Sequence, residues 1–191
     1  MIKKIGILGG SFDPIHFGHL LMAQSAVESL KLDCVYFVPA FCSPFKSRHQ
    51  LPSSDKRLAM VKSAIKGNEA FAIYTGELLR EGVSYTIDTL KELQAKHPQA
   101  KFFLLMGADH LKTFHRWKDP AGILKLASLV VLNRPGFDKA YPKRWPHQKI
   151  NMPAVDISSS DIRERLKLKK SIWYLTPKNV IRYISRHQLY I

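Results

Sequence analysis

Short apolar runs and amphipathic stretches alternate along the first two thirds of the chain. The runs "KKIGILG", "CVYFVPA", "AFAIYT", "KFFLLMG" and "SLVVLN" are typical of buried strands. Between them, "HLLMAQSAVESLK", "DKRLAMVKSAIKG", "YTIDTLKELQAKH" and the short "DPAGILKLA" have the pattern of helices. Strands that alternate with helices predict an α/β, Rossmann-like, doubly wound fold with a mostly parallel sheet of five to six strands.

The last third of the chain has a different pattern. The stretch "RPGFDKAYPKRWPHQKINMP" is rich in proline and charge and predicts an irregular connection. "SSSDIRERLKL" and "TPKNVIRYISRHQ" predict helices, the second with Thr176 as its cap. We expect a single domain over residues 1–191, with an α/β core over 1–156 and a small C-terminal helical appendage over 157–191.

Composition and charge narrow the class of protein. An apolar content of 46% and a charged content of 24% in 191 residues are ordinary for a soluble domain. The sequence has neither a membrane-length apolar run nor a signal peptide, and Cys34 and Cys42 fit no metal pattern. We therefore expect a cytoplasmic protein with reduced thiols and no membrane partner.

The net charge is +15, and from residue 139 onward 12 Lys or Arg face only 3 Asp or Glu. A basic surface attracts phosphates, of nucleotides or of nucleic acid, although a solvated surface explains the same charge.

The motif "GGSFDPIHFGH" stands between the first strand and the first helix. Gly9 and Gly10 allow a tight turn and a close approach of a ligand to the backbone. A helix that begins near Gly18 directs N–H groups and partial positive charge at this loop, where His16 and His19 add donors. The motif predicts polyphosphate binding. The glycine patterns of the P-loop and of dinucleotide-binding loops are absent. A His-x-x-His pair without a third ligand is a weak signal for a metal site, so we expect no bound metal here.

A second motif, "ISSSDIR", also marks the start of a helix. Ser158 and Asp161 have the spacing of a capping box, which is the structural interpretation. Ser158 and Ser159 also offer hydroxyl and N–H donors, and Arg163 can hold a phosphate through two hydrogen bonds. We expect this helix start to follow a strand as well, so that two helix starts grip one triphosphate.

Together the two motifs resemble the nucleotidyltransferase superfamily with H-x-G-H and I-S-S-x-x-I-R signatures. The further stretches "SYTIDTL", "MGADHLKTFHRW", "NRPG" and "YLTPKNVIRYI" resemble, more narrowly, the bacterial nicotinate mononucleotide adenylyltransferases. The resemblance implies that the phosphate of nicotinate mononucleotide attacks the α-phosphorus of ATP, so that pyrophosphate leaves and deamido-NAD forms. It also implies Mg²⁺ carried with ATP. Alignment and charge stabilisation would do the catalysis, since no strong base is needed.

The resemblance assigns roles to matching positions. The catalytic residues, at the phosphates, would be His16, His19, Lys46 and Arg163, and Ser158 and Ser159 would also hold the ATP phosphates. Ile157 would bind ATP. Those in the rest of the nucleotide pocket are Gly9, Gly10, Ser11, Phe12, Gly18, Gly107, Asp109 and Arg134. At the acceptor, the backbone N–H groups of Ser84, Tyr85 and Thr86 and the Thr86 hydroxyl would read the pyridine carboxylate, and Trp117 would stack on the ring. Each of these positions also has a purely structural interpretation. Tyr85 and Thr86 open a helix, and Asp109 could cap the segment that follows its strand. Trp117 could pack in the hydrophobic core, and Asp13 before Pro14 could shape a turn.

One stretch departs from the family pattern. The loop after the second strand reads "SPFK", where the family usually has Pro-His-Lys. In the family this histidine is expected to help hold the mononucleotide or ATP phosphates. Here Phe45 stands in its place while Lys46 remains, so that either Lys46 acts alone or the nearby His49 substitutes. We expect Lys46 to contact phosphate.

The sequence leaves alternatives open for the acceptor substrate and for the class of protein. The acceptor could be nicotinamide mononucleotide or phosphopantetheine, although "SYT" and the chain length disfavour the latter. A nucleotide sensor without catalysis, or a basic nucleic-acid-binding protein, also fits the charge, but no nucleic-acid motif is present. A homo-oligomer is compatible with the sequence.

Overall fold

The computed structural model describes residues 2–45, 52–133, 144–153 and 155–190. Within them the chain forms six strands and eight α-helices. The strands are β1 (Lys4–Gly10), β2 (Cys34–Pro39), β3 (Phe71–Ile73), β4 (Lys101–Gly107), β5 (Ala127–Asn133) and β6 (His147–Asn151). The helices are α1 (Phe17–Leu30), α2 (Ser54–Ile65), α3 (Gly76–Arg80), α4 (Thr86–Lys96), α5 (Ala108–Thr113), α6 (Pro120–Leu126), α7 (Ser159–Lys167) and α8 (Lys178–Arg186).

The strands lie in the order β3-β2-β1-β4-β5-β6, and every neighbouring pair is parallel. The predicted Rossmann-like, doubly wound fold is thus confirmed. The chain builds outward from β1 on one side through β2 and β3, and on the other side through β4, β5 and β6. The order reverses between β1 and β4, and the crevice at the carboxyl ends of strands at such a point is where open α/β sheets bind ligands.

Apolar side chains alternate between the two faces of the sheet. In β1, Ile5 and Ile7 belong to the core under α4, α5 and α6, whereas Leu8 belongs to the core under α1, α2, α7 and α8. The central strands are buried on both faces, which is why they read as nearly continuous apolar runs.

The sixth strand is a correction to the sequence prediction. His147–Asn151 lies within the stretch predicted to be an irregular connection, yet it pairs with β5 over its whole length. Ile150 is buried while Gln148 and Lys149 are exposed. An edge strand with one buried side chain has too weak an apolar pattern to stand out among prolines and charges.

The C-terminal helices share the main core. Ile162 of α7 and Val180 and Ile184 of α8 are buried in the same cluster as Leu8 of β1. Thr176 does not cap α8 as predicted: its hydroxyl donates to the carbonyl of Ile15 at 2.7 Å. The end of the chain is therefore tied to the loop after β1. Among the described residues, no helix is long and apolar enough to cross a membrane.

Candidate active site

A cavity of about 510 Å³ opens at the carboxyl edge of the sheet, beside β1 and β4. The lining includes most of the residues that the sequence motifs singled out. They are Gly9, Gly10, Ser11, Phe12, His16, Gly18, His19, Ser84, Tyr85, Thr86, Gly107, Asp109, Trp117, Ser158 and Ser159. Motifs separated by up to 150 residues in sequence thus meet around one space.

The loop after β1 brings the chain close to the cavity. Phe12 has a positive φ of 47° and is buried, so its ring packs into the core while the backbone turns. A side chain at Gly9 would meet no atom within 4 Å, which leaves the backbone there open to the cavity. At Gly18, a Cβ atom would lie 3.0 Å from Nδ1 of His16. Glycine at position 18 therefore makes room for the His16 ring.

His16 and His19 form one unit at the start of α1. His16 is buried and is the N-cap residue, and its backbone N–H donates to Nδ1 of His19 at 3.3 Å. A ring nitrogen that accepts a hydrogen bond carries no proton, so neutral His19 holds its proton on Nε2 and presents a donor there. The arrangement suits an anion held at the positive end of α1.

The second helix start is the N-terminus of α7. Ser158 caps it as predicted: its hydroxyl oxygen accepts from the Asp161 N–H at 3.1 Å, and its hydroxyl donates to the Asp161 carboxylate at 2.6 Å. The Ser159 hydroxyl donates to the Pro14 carbonyl at 2.9 Å. Since both hydroxyls have partners within the protein, the N–H groups of this helix start are what it offers to a phosphate.

Arg163 and Ile157 lie outside the cavity lining. The Arg163 guanidinium donates to the Asp13 carbonyl at 2.8 Å and to the Ser160 hydroxyl at 3.2 Å, and it lies 3.3 Å from the Asp13 carboxylate. The Ile157 carbonyl is adjacent to Gly18. The contact of Arg163 with phosphate stays a prediction.

The end of β4 forms the wall of the cavity that faces the loop after β1. Gly107 caps α5, and a Cβ at Gly107 would lie 3.3 Å from the Asp109 carboxylate, so this carboxylate is folded back over the glycine. Asp109 is exposed and has no capping hydrogen bond, which leaves its oxygens available to a ligand hydroxyl.

The start of α4 forms the far side of the cavity. The Ser84 N–H donates to the Cys42 carbonyl at 2.8 Å, and its hydroxyl oxygen accepts from the Phe41 N–H at 2.9 Å. The Ser84 N–H thus already has a partner within the protein, and its contact with a carboxylate stays a prediction. Tyr85 is the N-cap residue and Thr86 opens the helix, where N–H groups have no partner within the helix.

Trp117 stands beside this helix start. Its ring packs on Phe114 at 5.4 Å between centroids, and its Nε1 is buried without a hydrogen-bond partner among the described residues.

The neighbouring Lys118 was not singled out from sequence. Its ammonium lies 4.5 Å from the Tyr85 ring centre and 2.9 Å from the Asp88 carboxylate. Lys118 also lines the cavity, where it is paired with a carboxylate of α4.

Glu77 is a second residue that the sequence did not reveal. It lines the cavity and is 6% exposed, and it accepts a hydrogen bond from the Thr89 hydroxyl at 2.7 Å. Burial raises the pKa of this carboxyl, and hydrogen bonds from Thr89 and Ser84 offset part of that rise. In the sequence it reads as an ordinary surface glutamate of a short helix.

Lys46, His49 and Arg134 lie outside the described residues. Phe45, which stands in the place of the family histidine, lines the cavity and lies 5.7 Å from the Arg116 guanidinium. Over the described ranges, no group of three or more His, Cys, Asp or Glu side chains is placed to hold a metal ion.

Comparisons with known proteins agree with this geometry. The model of the cytidylyltransferase-like family matches residues 7–165. A protein of Halalkalibacterium halodurans, described as a probable nicotinate-nucleotide adenylyltransferase, is 46% identical over 99% of this chain and 92% of its own length. One of Herpetosiphon aurantiacus with the same description is 40% identical over 100% of both chains. The structure of Plasmodium falciparum nicotinic acid mononucleotide adenylyltransferase complexed with NaAD has a TM-score of 0.82 at 25% identity, covering 98% of this chain and 97% of that one.

The similarity extends over the whole length of the chain and includes both helix starts. It confirms the resemblance that the sequence motifs carry. The chain therefore belongs to the cytidylyltransferase-like family and, within it, to the nicotinate-nucleotide adenylyltransferases.

Proposed function

We propose that this protein transfers the adenylyl group of ATP to nicotinate mononucleotide, with release of pyrophosphate and formation of deamido-NAD. One observation carries the proposal: a single cavity joins the starts of α1 and α7 to the start of α4. A reaction between two nucleotides needs a cavity that can hold one nucleotide at each end.

The ATP phosphates would lie between α1 and α7. His19 and His16 offer ring donors there, and the N–H groups of both helix starts offer backbone donors. Gly9 and Gly10 would let the nucleotide approach the backbone, and Asp109 would accept from the ribose hydroxyls. Mg²⁺ would enter as part of the ATP substrate, since this ion is commonly held by substrate phosphates with few protein ligands.

The acceptor would place its pyridine ring near Trp117 and its carboxylate at the start of α4. The N–H groups there and the Thr86 hydroxyl favour an anion over a neutral amide. Stacking on Trp117 would fix the plane of the ring.

The chemistry needs no covalent intermediate with the protein. The attacking group is a phosphate oxygen that is already an anion, so the bond to the α-phosphorus forms as the bond to pyrophosphate breaks. The protein would hold the two phosphates in line and stabilise the charge that develops on the leaving pyrophosphate. The histidine donors and the helix dipoles are arranged for this task.

The test is pyrophosphate release from ATP and Mg²⁺ with nicotinate mononucleotide, nicotinamide mononucleotide and phosphopantetheine compared at equal concentration. We expect fast release with the acid and release at least tenfold slower with the amide. Equal use of the acid and the amide would contradict the account of the α4 helix start. No release with any acceptor would contradict the proposed function, and salt-sensitive binding to arbitrary DNA would then favour a nucleic-acid role.

A further inference from the structure

Side chains from the last third of the chain hold the backbone of the loop after β1. They donate to successive carbonyls of that loop, from Arg163 to Asp13 at 2.8 Å, from Ser159 to Pro14 at 2.9 Å and from Thr176 to Ile15 at 2.7 Å. From α2, the buried Arg57 donates to the Ser11 carbonyl at 2.8 Å. The conformation of the loop that carries His16 is therefore set by elements far away in sequence.

The side chain of Asp13 is the centre of this contact. Asp13 is 1% exposed, and a buried carboxylate is costly unless charged or polar groups compensate it. The Tyr190 hydroxyl donates to Oδ1 at 2.7 Å, and the Arg163 guanidinium lies 3.3 Å from Oδ2. Tyr190 and Arg163 thus each contact one oxygen of the same carboxylate.

The Tyr190 hydroxyl can only act as the donor in this pair. Burial, together with the adjacent Asp13 carboxylate, raises the pKa of Tyr190, so the phenol keeps its proton at every pH at which enzymes of this kind work. The preceding residue, Leu189, is buried in the core next to α8, which fixes the position of the ring.

We propose that Tyr190 is a positioning residue for ATP: it holds Asp13, and through Asp13 it holds Arg163 and the loop that carries the phosphate-binding groups. The proposal rests on the proposed function in that ATP is the ligand of this loop. Tyr190 does not line the cavity, so its effect on ATP must pass through Asp13.

The first experiment compares Tyr190→Phe with the unaltered protein in steady-state kinetics. Removal of the hydroxyl takes the Tyr190 donor away from Oδ1 of Asp13, so the arrangement of the carboxylate and Arg163 is loosened. We expect the KM for ATP to rise about tenfold, while the KM for nicotinate mononucleotide changes by less than twofold. Tyr174→Phe is the matched control, because Tyr174 is 84% exposed and removed from the cavity.

A second variant tests the route of the effect. Asp13→Asn should show the same ATP-selective loss, and adding Tyr190→Phe to it should cause little further change, because both residues act through one contact. If Tyr190→Phe does not yield folded protein, the ATP-selective loss in Asp13→Asn decides alone. An equal loss for both substrates, or a lower melting temperature with unchanged ATP affinity, would overturn the proposal.

Calorimetric binding of a non-hydrolysable ATP analogue separates this proposal from the proposed function. If the unaltered protein binds the analogue but releases no pyrophosphate with any acceptor, the proposed function fails. A tenfold weaker binding to Tyr190→Phe would still support the positioning role, and equal binding would overturn it.

Discussion

The imidazole rings of His16 and His19 lie with their centroids 3.7 Å apart and their planes inclined by 31°, at the first turn of α1. Two rings this close cannot both carry a positive charge without strong repulsion. When both rings are neutral, each has one ring N–H that can donate a hydrogen bond. The proposed phosphate site would then be built from dipoles that are fixed before the nucleotide arrives, which is the arrangement that stabilises a developing charge best.

We predict that His19→Asn lowers kcat about 100-fold, because it removes a donor from the charge that develops on the leaving pyrophosphate. His16→Asn should have an effect of the same order, since it removes the ring that packs against the His19 ring. His115→Asn is the control: His115 is exposed and lies outside the cavity lining. Pyrophosphate release measures all three, and unchanged kcat in the first two would remove the histidines from the mechanism.

A pair of glycine variants separates binding from folding. A Cβ at Gly9 would meet no atom within 4 Å, whereas a Cβ at Gly6 would lie 2.9 Å from Leu32 and Val35. We therefore expect Gly9→Ala to leave the melting temperature nearly unchanged and to weaken ATP binding at least tenfold. Gly6→Ala should lower the free energy of unfolding by about 1–3 kcal/mol through overpacking. Thermal melting measures the change in stability, and calorimetry measures the change in ATP binding. Full ATP affinity in Gly9→Ala would show that the nucleotide does not reach the end of β1.

Trp117→Ala should raise the KM for nicotinate mononucleotide by about 10-fold to 100-fold and change the KM for ATP little, because the ring lines the part of the cavity where we propose that the acceptor binds. Trp117→Phe keeps a stacking surface and should recover most of the loss. Trp145→Phe is the matched control, since Trp145 packs on Phe114 without lining the cavity. An increase in the KM for ATP instead would place the adenine, rather than the pyridine, beside Trp117.

Glu77 predicts a pH dependence of stability. Burial raises the pKa of its carboxyl in the folded state above the value of about 4.3 that an unfolded chain has. Its contribution to stability is thus fully present below about pH 4.3 and is lost as the pH rises to the higher folded-state pKa, because the unfolded chain gives up this proton first. Glutamine cannot ionise, so the melting temperature of Glu77→Gln relative to the unaltered protein should increase across that interval.

Melting curves of both proteins from pH 4 to pH 8 measure this difference. Exposed Glu69→Gln is the control and should show no trend. A constant difference for Glu77→Gln at all pH values would mean that its hydrogen bonds with Thr89 and Ser84 compensate burial completely.

The sequence predicted the sheet because its central strands are buried on both faces and read as apolar runs. It missed β6, whose only buried side chain within the strand, Ile150, gives no pattern. It located both helix starts from glycines, histidines and serines. It could not show that the side chains of Ser159 and Arg163 bind the loop after β1, since such contacts depend on how distant elements pack and leave no periodicity in the chain.

The loop after β1 also has a consequence for the order of events during synthesis. Its partners Thr176 and Tyr190 lie 161 and 177 residues further along the chain than Ile15 and Asp13. Contacts of such separation form late, because the chain must close a long loop before they can be made. A nascent chain that has left the ribosome as far as β5 thus holds the glycines and histidines of the first motif but lacks the partners that shape them. ATP binding should therefore report on the completion of the chain rather than on the folding of its N-terminal half.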